Sequence, residues 1–177
     1  MKPYIVTYNF VDTTCNLQGE CLCNADQSIR VVYQGGAYQM VEQIIPLYEQ
    51  YGVACIKHLQ GALSFCLYDA NKKQLLVVRD RIGEKQLYYA QLPTGIVFGS
   101  NLRDVLQYVK RPQIRAHELA QPIRHNYPID LQHTWIEQIK RLRAGEYAIV
   151  DADGLRTYTY WKRNYMPAFN GTKEQAI

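Results

Sequence analysis

The feature that most constrains this chain is a succession of four short apolar stretches between residues 62 and 100. They read "ALSFCLYD" (62–69), "QLLVVRD" (74–80), "KQLYYA" (85–90) and "GIVFGS" (95–100). Each has the length and β-branched or aromatic content of a strand, and "DANKK" and "QLPTG" supply turn residues between them. The stretch therefore reads as an antiparallel meander. One join breaks the pattern: Arg79, Asp80, Arg81, Glu84 and Lys85 crowd the connection between the second and third strands. A hairpin closes with about two to five residues, so this connection is longer and more charged than closure requires. Its plainest reading is a solvated hairpin with local Arg–Asp pairing.

Helical signals flank the meander. In "VEQIIPLYEQYG", Val41, Ile44, Ile45 and Tyr48 share one helical face and Gly52 is a stop signal. Pro46 is awkward inside that pattern, because an interior proline removes a hydrogen bond and clashes with the preceding turn. A kink, or a helix starting near Ile45, resolves it. Ser100 is placed to cap "NLRDVLQYV", whose Leu102, Val105, Leu106 and Val109 share a face. Near the end, "GEYAIVDADGLRTYTYW" alternates like a hairpin with its tip at Asp153-Gly154. Sequential hairpins with a few helices argue an α+β layered fold.

At 177 residues the chain is long enough for one domain with a substantial core. The net charge of +4 is mild, and the basic residues alternate with apolar ones, as on a solvated face rather than a nucleic-acid stripe. No apolar run has the length of a membrane span, and "MKPYIVTYNF" has no secretory character. The five cysteines form no regular disulfide framework, which fits a reducing cytoplasm. Cys15, Cys21 and Cys23 cluster, but C-x5-C-x-C has no nearby histidine to complete four ligands, so no metal is expected. Cys55 and Cys66 sit in apolar runs and read as small core residues.

Three segments together resemble the glutaminase domain of asparagine synthetases, the class II or N-terminal-nucleophile (Ntn) glutamine amidotransferases. "LQGALSFCLYDANKKQLLVVRDRIGEKQLYYAQLPTGIVFGSNLRDVL" is similar to that family's L-x-G-M-F-A-F-A-L-Y-D, R-D-R-x-G-x-K-P-L-Y-Y and F-A-S-E pattern. "TWIEQIKRLRAGEYAIV…TYW" resembles its T-x-x-x-x-I-x-x-L-x-P-G-x-Y and closing Y-W, and "CNADQSIRVVYQGGAYQ" its N-E-D-G-x-I-x-x-V-F-N-G-E-I-Y-N. The likeness covers about residues 10 to 175. It implies an Ntn-hydrolase-like αββα sandwich of mainly antiparallel sheets. Residues 1–165 would form the amidotransferase-like domain, and 166–177 the start of a linker toward a synthetase domain.

The same resemblance implies a chemistry this chain departs from. The family's nucleophile is a cysteine at the first position of the mature chain, which attacks the glutamine amide while its own amine shuttles the proton. Here the chain opens Met1-Lys2, and nothing resembles the family's C-G-I-x-G strand or R-H-R-G-P-D loop, so the sandwich is expected to lack the nucleophile strand. Matched position by position, the substrate-clamping Arg falls on Thr7 and the oxyanion-hole Asn on Gln34. Gly35 is kept, Gly36 replaces a Glu, and the Asp for the substrate amine falls at Met40. No catalytic residue, cofactor or glutaminase activity is expected.

Three readings follow. The first is a degenerate glutaminase-like domain of an asparagine-synthetase-like, ATP-dependent amide-forming system, with a structural or partner-binding role. Family members that use an amine already on the substrate, such as β-lactam synthetases and lasso-peptide cyclases, need no glutamine hydrolysis. The second is a stand-alone interaction or scaffold module reusing the fold. The third is new chemistry at the cysteine cluster or at His117, His125 and His133. The expected partner is a synthetase (ATP-pyrophosphatase) domain or subunit, or a second copy as a homodimer. The contact would run along an open edge beside Ile5–Val11 and the turn of Arg79, Asp80, Arg81, Gly83 and Lys85, which in the family lies toward the synthetase domain.

Overall fold

A computed structural model of the protein describes residues 3–36, 38–116 and 132–164. The expected linker at 166–177, and His117 and His125, lie outside these residues. The strands, in chain order, are β1 (Ile5–Asn9), β2 (Cys15–Gln18), β3 (Cys21–Cys23), β4 (Ile29–Gly35), β5 (Leu63–Asp69), β6 (Gln74–Val78), β7 (Tyr88–Leu92), β8 (Gly95–Gly99), β9 (Ile139–Arg141), β10 (Glu146–Asp151) and β11 (Gly154–Thr159). They form two sheets, ordered β2-β1-β8-β7-β9 and β11-β10-β6-β5-β4-β3. Every strand pair is antiparallel.

The sheets pack face to face over a core that includes Val6, Tyr8, Cys66, Leu75, Val77, Phe98 and Val150. The outer face of the six-stranded sheet, with Phe65, Leu67 and Leu76, is covered by α1 (Tyr38–Glu42), α2 (Ile44–Tyr51) and a 3-10 turn at Gly52–Lys57. The outer face of the five-stranded sheet packs Ala90 and Val97 on α3 (Leu102–Leu106). Two outer helical layers on two antiparallel sheets make the expected α+β sandwich. Strands β5 and β6 are buried on both faces, which is why they read as apolar runs rather than alternating ones. Among the described residues no helix is long and apolar enough to cross a membrane.

Several local expectations are corrected. The meander is two hairpins in two different sheets, because β5–β6 pair in one layer and β7–β8 in the other. Residues 79–87 therefore cross between layers that stand about 10 Å apart, and this crossing is what the long charged join accomplishes. Nor does an open edge run along Ile5–Val11. Strand β1 pairs with β2 on one side and β8 on the other, with Thr7 opposite both Asn16 and Val97. The segment through Cys15 folds back as a strand and becomes the edge itself.

The helical segment divides in two. α2 starts at Ile44, so Pro46 sits in its first turn, where a missing N–H leaves no gap in the ladder. Gly52 ends it at φ 57°, its N–H bonded to the Tyr48 carbonyl. Asn101, not Ser100, caps α3 by accepting from the Arg103 N–H at 2.9 Å. The helix ends at Leu106, so Val109 lies beyond it. The β10–β11 loop is Ala152-Asp153, one residue earlier than expected.

Candidate functional site

The crossover from β6 to β7 lies against a second one, Leu142–Gly145, which returns the chain from β9 to β10. Arg79 joins them. Its side chain is 6% exposed. Nε donates to the Lys85 carbonyl at 2.8 Å, Nη1 to Leu142 O at 2.6 Å, and Nη2 to Gly83 O at 2.8 Å and Gln86 Oε1 at 3.1 Å. Burial pulls the guanidinium pKa down, and the charge of Asp80 opposes that pull.

Asp80 is equally buried, at 3% exposed. Its carboxylate closes the loop by accepting from the N–H groups of Ile82 at 3.2 Å, Glu84 at 3.0 Å and Lys85 at 2.9 Å. Its own carbonyl accepts from Gly145 N–H at 2.9 Å, and the Arg79 carbonyl accepts from the Tyr160 hydroxyl at 2.9 Å. Gly83 has φ +70°, and a Cβ there would stand 3.0 Å from Ala144 Cβ and 3.1 Å from Arg79 Nη2. The solvated-hairpin reading is thus corrected: Arg79 and Asp80 are internal and bond to backbone. What faces outward is Ile82, 64% exposed, with Glu84. Beside it Arg81 reaches the Leu59 carbonyl at 3.4 Å, while its Nε is buried without a partner.

Gln34 and Gly35 end β4 opposite Ser64 and Leu63. Gly35 has φ +91°, and a Cβ there would lie 2.1 Å from the Ala62 carbonyl oxygen and 2.7 Å from Lys85 Cε. The crossover thus lays the Lys85 stem directly over Gly35, with the ammonium 3.1 Å from Glu84 Oε1. Met40, in α1, belongs to the same neighbourhood: its Cε would be 3.4 Å from a Cβ on Gly61, next to Ala62. So Gln34, Gly35, Met40 and Lys85 come together at one end of the sandwich.

Thr7 does not join them. It faces away from the inter-sheet core and lines a separate cleft with Asn16 and Tyr108. The β1-side residue that reaches the Gly35 end is Tyr4. Its backbone N–H donates to Ser100 Oγ at 3.0 Å and its hydroxyl reaches Ser64 Oγ at 3.4 Å. Burial, and then the neighbouring Cys66, push the Tyr4 pKa well up, so the phenol stays a protonated donor. Sequence reasoning missed this trio. Ser64, a lone hydroxyl inside an apolar run, was the one available signal.

The cysteines do not converge. Cys15 is on β2 in one sheet, while Cys21 and Cys23 are on β3 in the other. Burial pushes the Cys15 thiol up to about 12 against the pull of Arg30, and Cys55 up to about 11. Cys66, enclosed between the sheets, is raised further. These groups are thiols rather than thiolates at neutral pH, and the thiolate is the nucleophile. Among the described residues no three His, Cys, Asp or Glu side chains gather as a metal site. His133 is bridged to Lys140 at the rim of the five-stranded sheet.

Two solved enzymes share the fold over 91% of this chain: the allosteric regulatory enzyme of purine biosynthesis, at TM-score 0.55 and 11% identity, and glutamine phosphoribosylpyrophosphate amidotransferase from B. subtilis, at 0.51 and 10%. The molecule therefore has the sandwich fold of these two enzymes. Residues 21–161 match the glutamine amidotransferase domain family, and the chain belongs to it. Amidase chry2 of Gibberella zeae is 30% identical over 72% of this chain, and asparagine synthetase (glutamine-hydrolyzing) 3 of Bacillus subtilis is 23% identical over 90%. The chain spans only 19% and 27% of those two proteins.

Proposed function

We propose that this is a glutaminase-like domain of an asparagine-synthetase-like, ATP-dependent amide-forming system in the cytoplasm. It hydrolyses no glutamine itself and serves to build and hold the assembly. The observation that carries this reading is the make-up of the Gly35 end of the sandwich: Gln34, Gly35 and Met40 meet there beside the Tyr4 and Ser64 hydroxyls, which bond to one another rather than to a base, while Thr7 at the clamp position lines a different cleft. Two of the three family-like segments support the same view, because their polar groups are spent on joining β6, β7, β9, β10 and the segment after β11. The partner is a synthetase-type domain or subunit, met through the outward part of the crossover at Ile82 and Arg81, with a homodimer as the other assembly.

The purified chain with glutamine should release no glutamate above a heat-inactivated control, and should resist a diazo-ketone glutamine analogue. Glutamate release that the analogue abolishes would overturn the proposal.

A further inference from the structure

An open cleft of about 720 Å³ runs between β3, the turn after it, and the helices α1 and α2. Leu22, Ile45 and Pro46 give it an apolar lining, and Asp26, Glu42 and Glu49 give it three carboxylates. On a chain of net charge +4 this concentration of acid runs against the overall sign. Asp26 bonds the N–H and hydroxyl of Ser28, and Glu49 accepts from Asn24 Nδ2. None of the three carboxylates is in an ion pair among the described residues.

The cleft adjoins an unpaired sheet edge. Among the described residues, strand β3 is outermost in its sheet and bonds only to β4. Asn24 N–H bonds inward to the Ile29 carbonyl. An antiparallel ladder alternates bonded and non-bonded pairs. Leu22, two residues back and opposite Val31, is therefore also bonded inward. The backbone N–H and C=O of Cys21 and Cys23 then face outward, away from the sheet. An unpaired row of this kind is a template for another strand.

We propose that β3 and this cleft form a docking site for an extended basic peptide segment of a partner protein. The segment adds to the six-stranded sheet beyond β3, which gives affinity through main-chain bonds to Cys21 and Cys23. Every second side chain points to the cleft face, and the residues at these positions are of two kinds: apolar ones set on Leu22, Ile45 and Pro46, and lysine or arginine meeting Asp26, Glu42 and Glu49. A second copy of this chain is the poorer occupant. Two-fold pairing through β3 would bring two acidic clefts together, and like charges facing one another oppose association. The inference goes beyond the amide-forming role and does not depend on it.

The test is fluorescence anisotropy with the 177-residue chain and a labelled synthetic peptide in which valine and lysine take turns at every second position, with threonine between them. Saturable binding that weakens with added salt is expected. The Glu42→Lys/Glu49→Lys variant should bind roughly tenfold more weakly. A peptide of the same sequence methylated on alternate backbone nitrogens should lose binding to the unmodified protein, which keeps the test independent of any variant's folding. The same peptide with glutamate at the lysine positions should not bind. Equal binding of the methylated peptide, indifference to charge reversal, or no binding of the lysine peptide would each overturn the proposal. So would a dimer of the chain that the peptide dissociates, since it would assign the edge to a second copy.

Discussion

Strand β6 has a charged connection at each end, and the two solve different problems. Before it, Asp69-Ala70-Asn71-Lys72-Lys73 turns the chain back within one sheet. After it, Arg79 to Leu87 carries the chain to the other sheet. Each holds a buried aspartate, 4% exposed at Asp69 and 3% at Asp80. In the hairpin, Asp69 accepts from the Lys72 N–H at 3.1 Å and meets its ammonium at 3.1 Å, a local closure with one outside partner, the Tyr48 hydroxyl. In the crossover, Arg79 and Asp80 bond to Leu142, Gly145 and Glu146, some sixty residues away in sequence. The same residue types thus bend the chain in one place and bind distant segments in the other. Composition does not separate these roles; partners do.

If that contrast is right, the crossover should be far less tolerant of change than the hairpin. Arg79→Met is expected to cost about 3–5 kcal/mol, because it leaves Asp80 buried without its counter-charge and several carbonyls without a donor. Denaturant unfolding measures this, and Arg79→Lys should recover only part, since an ammonium cannot span the fork of acceptors. A loss under 1 kcal/mol for Arg79→Met would break the comparison. Asp80→Asn should cost about 2–3 kcal/mol, as the amide presents a donor where Lys85 N–H needs an acceptor. Gly83→Ala comes next, at about 1–2 kcal/mol, from the strain of a side chain at positive φ and the push on Ala144 and Arg79. Its double variant with Arg79→Met should be less than additive, because the two share that contact.

Much of this architecture was legible, and the illegible parts have physical causes. The four apolar runs in the middle announce themselves because β5 and β8 are buried throughout, and β6 at all but its first residue, and must be apolar whatever their sheet. Which sheet each strand joins depends on Leu142–Gly145, far along the chain, and no local pattern at Arg79 carries that. Strands β2 and β3 were invisible for the opposite reason. They are short edge strands, half exposed, and their cysteines drew attention to chemistry rather than pairing. At the candidate site, Gly35 and Lys85 could each be singled out from the sequence. That one lies on the other could not, because it follows from the crossing of layers. Tyr4, close to the N-terminus, had no motif to mark it.

The smallest expected effect sharpens the hairpin side of the contrast, and it depends on pH. Burial alone would raise the Asp69 pKa, but the Lys72 N–H and ammonium and the Tyr48 hydroxyl outweigh it and hold the carboxyl below its ordinary value. A folded-state pKa below the unfolded one adds stability that is present above the unfolded value, near 4, and lost as the pH falls through the folded value. Asp69→Asn should therefore cost about 1 kcal/mol at neutral pH, since the amide still accepts from the backbone but no longer attracts the ammonium. The difference between wild type and variant should stay flat down to about pH 5 and shrink below about pH 4. Asp12 and Asp26, also held low by hydroxyl and N–H bonds, are common to both proteins and cancel in the difference. Lys72→Ala should remove only part of this effect, because its side chain is 57% exposed and its charge is screened by water. Parallel urea titrations across the acid range are the measurement. A gap that widens on acidification would mean that burial, not hydrogen bonding, sets the Asp69 charge, and the hairpin would then resemble the crossover after all.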